Sequence, residues 1–106
     1  MMDLTEAGLT ANAIRANVPE ALREGLIAYI LTGRPTGDFL RAILENNLSE
    51  ACGRADEENR TRLYDVVFFL YNYAPFDCWQ TPEHVDAWME HRGLEMRTAD
   101  DEEVIE

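Results

Sequence analysis

The 106-residue chain contains no lysine: all nine of its basic residues are arginine, set against 21 aspartates and glutamates for a formal net charge of −12. Such a chain lacks the basic footprint that naked nucleic acid requires, and anionic membrane surfaces repel it. No direct nucleic-acid partner and no membrane partner are expected. A protein with a basic surface is allowed, and long-range attraction would speed the encounter. The acid also serves solubility, so the charge fits either a mimic of a nucleic-acid backbone or a plain solvated exterior. Other scarcities narrow the chemistry. There are two cysteines, Cys52 and Cys78, and one serine, Ser49. Two cysteines make no disulfide framework. No CxxC pair and no two histidines four apart with a glutamate between them offer a zinc site. Gly33 to Gly37 is the nearest approach to a phosphate loop, and its Arg-Pro-Thr centre reads as a turn. No run of about 18 apolar residues exists to span a bilayer. The first thirteen residues have neither a basic region nor a long apolar run, so they do not read as a signal peptide. The cytoplasm is the expected location.

What remains is helical. Hydrophobic residues make up 46% of the chain and charged residues 28%, as in ordinary soluble domains. Residues 1–9 read as a flexible arm, 10–94 as one domain and 95–106 as an acidic, disordered tail. Thr10 can cap a short helix to Asn17. Pro19, with Glu20 and Glu24 in the first turns, opens a second helix whose Leu22, Leu26, Tyr29 and Ile30 share a face. Gly33 and Pro35 stop it. Thr36 or Asp38 caps a third, carrying Phe39, Leu40, Ile43 and Leu44. Asn46 and Asn47 interrupt, and Leu48, Ala51, Cys52 and Ala55 continue. Asp56 opens a helix over 57–74, ended by Pro75. Thr81, Pro82 and Glu83 give a cap, a first-turn proline and a first-turn acid for a last helix, closed by Gly93. The fold class is all-α: an irregular bundle of five short helices, with a sixth allowed.

Residues 61 to 79, TRLYDVVFFLYNYAPFDCW, hold seven aromatic rings. At about 100° per residue, Leu63, Val66, Val67, Leu70 and Ala74 form one face. Tyr64, Phe68 and Tyr71 widen it on one side, and Phe69 and Tyr73 on the other. A helix apolar nearly all round is a buried one, so this helix is expected at the centre of the bundle with most rings internal. The alternative is a partly exposed aromatic patch marking a binding face or homodimer seam. Phe76 and Trp79 are its best exposed candidates, or else a plug beneath the last helix.

Titratable clusters are sparse. His84 and His91 are two helical turns apart, roughly 10 Å, too far to share a metal. Cys78 and His84, with Asp77 or Asp86 to orient the imidazole, are the one combination resembling a nucleophile and base. Cys52 is expected to be buried beside Ala51. No catalytic residue, metal or cofactor is assigned. The densest acid is Asp56, Glu57 and Glu58, with 100–103 in the tail. Glu83, Asp86 and Glu90 supply a row along the last helix.

Residues 37 to 79, GDFLRAILENNLSEACGRADEENRTRLYDVVFFLYNYAPFDCW, continuing to PEHVDAWMEH, carry a recognisable pattern. It has a Gly-x-Phe-Leu start, an Arg-Ala-Asp-x-x-Asn segment, and Leu-Tyr ahead of Ala-Pro and a tryptophan. In this the chain resembles a family of small acidic helical proteins encoded by bacteriophages and prophages. The resemblance implies a phage origin and an accessory role in the cytoplasm of a bacterial host. Small acidic phage proteins often bind and block a host protein, CRISPR components among them. It carries over no functional residue. Three roles follow. The first is a non-enzymatic, anti-CRISPR-like binder and inhibitor of a host nucleic-acid-binding protein, with Phe76, Trp79 and the acidic residues just named at its contact. The second is a self-associating structural protein, and the third a small Cys/His enzyme.

Overall fold

The computed structural model describes residues 4–55 and 62–94. Among these residues the fold is six α-helices and one 3₁₀ turn, with no strand. Helix α1 spans Glu6–Arg15, α2 Glu20–Thr32, α3 Asp38–Leu44 and α4 Leu48–Arg54. Then come α5 at Leu63–Tyr73, the 3₁₀ turn at Phe76–Cys78 and α6 at Pro82–Glu90.

Local chemistry explains most boundaries. The Thr81 hydroxyl accepts from the His84 amide at 3.1 Å, as the Thr-Pro-Glu start implied. Asn47 caps α4 in the same way through the Glu50 amide at 3.1 Å. Gly33 ends α2 at φ 75°, a left-handed conformation that glycine adopts without penalty. Ala74, ahead of Pro75, is extended and ends α5. The first helix differs from its expected start at Thr10. Thr5 caps it, accepting from the Gly8 amide at 3.1 Å. Residues 6–9 of the expected flexible arm are therefore helix, because Leu9 and Ala13 bury one face completely. The expected tail, 95–106, lies outside the described residues, as do 56–61 at the expected start of the aromatic helix.

The core draws on every helix: Leu9 and Ala13 from α1, Leu26 and Ile30 from α2, Ile43 and Leu44 from α3, Ala51 from α4, Phe69 and Leu70 from α5, Val85 and Trp88 from α6. Helix α1 packs on both α2 and α5, and α3 packs on α4. Tyr29 ties distant segments together. Its hydroxyl donates to the Cys78 carbonyl at 2.6 Å, and its own carbonyl and that of Ile30 accept from the Trp88 indole at 3.0 and 3.1 Å. The Gln80 amide donates to the Leu44 carbonyl at 2.8 Å, pinning the loop before α6 to the end of α3. Arg41 reaches Glu45 at 2.9 Å and Asp86 at 3.0 Å, linking α3 to α6. Such exposed pairs contribute about 0–1 kcal/mol each, so burial holds the fold.

Helix α5 is not engulfed. Val66, Phe69 and Leu70 face inward, whereas Tyr64 is 73% exposed, Tyr71 74% and Phe68 39%. The expectation of an aromatic helix wrapped on all sides is corrected here. Helix α3 packs on α4, and Tyr64 and Tyr71 on the outer side of α5 stay exposed.

Candidate interaction surface

The exposed side of α5 is an aromatic stripe. Tyr64, Phe68 and Tyr71 stand at i, i+4 and i+7, the spacing that aligns side chains along one helical face. The rings of Tyr64 and Phe68 lie 6.0 Å apart, and Phe68 meets Tyr73 edge-on at 6.5 Å. Tyr73 in turn sits 6.2 Å from buried Phe69, so the stripe is braced against the core. The charged residues of Arg62–Tyr73, Arg62 and Asp65, pair with each other at 3.3 Å. The stripe continues past the helix end. Tyr71 and Phe76 line one cleft of about 380 Å³ with Ala74, Pro75, Trp79 and Gln80.

Of the two aromatic candidates in the loop, Phe76 is 68% exposed. Trp79 is not: at 5% exposure it belongs to the core and forms the cleft's floor. The 3₁₀ turn rotates it inward, and its carbonyl contacts His84 Nδ1 at 2.8 Å. A carbonyl only accepts, so Nδ1 carries the proton. Phe76 packs edge-on against the same imidazole at 6.1 Å. Sequence reasoning placed Tyr64, Phe68 and Tyr71 inside. The signal against that was their two phenol oxygens, which need partners when buried. Tyr29, by contrast, is buried with such a partner.

The acidic candidates divide. Glu83, Asp86 and Glu90 are all exposed and fall at i, i+3 and i+7 of α6, one outward face. Asp86 on that row is held by Arg41 at 3.0 Å. Asp56, Glu57 and Glu58 lie outside the described residues. A groove of about 510 Å³ beside α1 and α2 sets Glu6, Glu20 and Glu24 next to Arg23 and Arg34, with no single sign of charge to select a ligand.

The thiols reverse one expectation. Cys52 is exposed, because its neighbour Ala51 takes the inward position on α4 and adjacent helical residues point about 100° apart. Cys78 is buried, and burial, with Asp77 adding to it, pushes its thiol up to about 12. The nucleophilic form is the thiolate, so Cys78 is a poor nucleophile at neutral pH. His84 is held by the Trp79 carbonyl rather than by this thiol. A thiol reagent at neutral pH is expected to label Cys52 quickly and Cys78 only after unfolding. Two fast equivalents from the folded chain would contradict that. Among the described residues no three His, Cys, Asp or Glu side chains gather as a metal site, and no helix is long and apolar enough to cross a membrane. No family model, no curated protein and no solved structure matches the chain.

Proposed function

We propose that the protein is a non-enzymatic accessory protein that acts by contact with other proteins. The observation that carries this reading is the exposed aromatic stripe of α5, extended by Phe76. Exposed, contiguous aromatic surface is uncommon on a lone soluble domain and typical of interfaces. The acidic row on α6 gives the protein a second face. Glu83, Asp86 and Glu90 project from one side of a helix on a chain of net charge −12. That arrangement suits a basic surface on a host protein, including one built to hold a nucleic-acid backbone. A phage-type inhibitor of a host defence component, CRISPR effectors included, is the role that fits this face.

The test is affinity purification at low salt from a bacterium with an active CRISPR defence, alongside a phage-survival assay. Wild type is expected to retain a basic host protein and to weaken the defence. The double variant Glu83→Lys and Glu90→Lys is expected to lose about tenfold in affinity. If wild type binds nothing and changes no defence, the host-protein reading fails.

A further inference from the structure

We infer that the α5 stripe is the seam of a homodimer, with α5 packed antiparallel on α5 of a second copy about a two-fold axis. This rests on reading the protein as one that works by protein contact, and it names what the stripe contacts. Three observations favour a second copy over a foreign chain.

The stripe is nearly palindromic. Tyrosines 64 and 71 flank Phe68 at four and three residues. A two-fold contact requires a self-complementary patch, in which residue i meets j and j meets i. Antiparallel pairing sets Phe68 of one copy against Phe68 of the other, and each Tyr64 against the opposite Tyr71. Offset or edge-on ring contacts of that kind add stabilisation beyond area alone.

The stripe is also neutral on an anionic protein. Arg62 and Asp65 neutralise each other at 3.3 Å, and Asn72 is uncharged. Along α5 itself, pairing therefore brings no like charges face to face, although each copy carries −12 and exposed Asp77 stands at the seam's edge beside Phe76. The acidic row of α6 is on a different helix and is carried twice by the dimer.

The area is small. With Tyr64, Tyr71 and Phe76 each exposed by 68% or more and Phe68 by 39%, the four side chains offer each copy on the order of 500 Å² of aromatic surface. Two copies bury at most about 1,000 Å², the size of a weak, transient contact. The dimer is accordingly one that dissociates on dilution.

Light scattering of the full chain across the micromolar range tests this. The expected mass rises with concentration toward twice 12.1 kDa. Added salt should strengthen the dimer, because it screens repulsion between two anionic bodies, whereas a complex with a basic partner weakens in salt. The double variant Tyr64→Glu and Tyr71→Glu removes two exposed rings at little cost to folding. It is expected to stay monomeric at concentrations at least tenfold above the wild-type midpoint, with unchanged helical circular dichroism. A wild-type monomer throughout the range, or a dimer that this variant leaves intact, overturns the seam. If wild type is monomeric but the variant loses a host protein in the purification above, the stripe binds a foreign chain. The contact reading then stands without the homodimer. If neither mass nor host binding responds to the variant, both readings of the stripe fall.

Discussion

Gly93→Ala is expected to destabilise the protein by about 3–5 kcal/mol, a large share of the roughly 5–15 kcal/mol that holds a domain together. Two causes combine. Gly93 sits at φ 75°, where an alanine Cβ is strained. A Cβ there would also lie 2.5 Å from the Gly33 nitrogen, 2.6 Å from the Thr32 nitrogen and 2.7 Å from the Leu31 carbonyl carbon. These are backbone atoms at the end of α2, and they cannot swing aside as a side chain would. The two left-handed glycines thus let the ends of α2 and α6 touch. Thermal melting should show a loss on the order of 15 °C. Gly25→Ala is the control: nothing lies within 4 Å of a Cβ there, and alanine in a helix interior adds about 0.5–1 kcal/mol. Equal melting of the two variants would contradict the close approach.

Trp88→Ala should cost about 3–5 kcal/mol, as large truncations of buried aromatics do. The indole is 2% exposed, and its N–H serves the Tyr29 and Ile30 carbonyls at 3.0 and 3.1 Å. Its loss empties space beneath α6 and strips a donor from the last turn of α2. Trp88→Phe separates the terms. Most of the volume remains, the donor goes, and the expected loss falls to about 1–3 kcal/mol. Urea unfolding followed by circular dichroism measures both. A loss below about 1 kcal/mol for Trp88→Ala would show that α6 is a dispensable flap.

Residues that act locally made much of this architecture legible. Thr81-Pro82-Glu83 marked the start of α6, and Gly33 with Pro35 marked the end of α2, because caps and left-handed stops depend on a few neighbouring atoms. Leu22, Leu26, Tyr29 and Ile30 gave their helix by spacing alone, and three of the four are buried. The failures are tertiary. Thr5 was overlooked as a cap because residues 1–9 read as a flexible arm, yet Gly8 and Leu9 are buried inside α1. Helical spacing gave α5 its inward Val66, Phe69 and Leu70, but spacing does not reveal how many neighbours a helix has. A nearly all-apolar wheel looks the same whether other helices of the chain cover its far side or nothing in the chain does. Cys52 failed likewise: it was judged by its apolar neighbours, whereas a 100° step along α4 decided which side chain went inside. The sequence leaves Trp79 open between an exposed contact and a buried plug, and the 3₁₀ turn decides for burial.

The tie between Tyr29 and its partners has a consequence for biosynthesis. The bonds from this one residue reach 49 positions forward to Cys78 and 59 to Trp88. A ribosome delivers roughly 5–20 residues per second, so α2 emerges seconds before the groups that complete it. During that interval its buried tyrosine has no native acceptor. The native surroundings of Tyr29 are therefore completed only once α6 has been made.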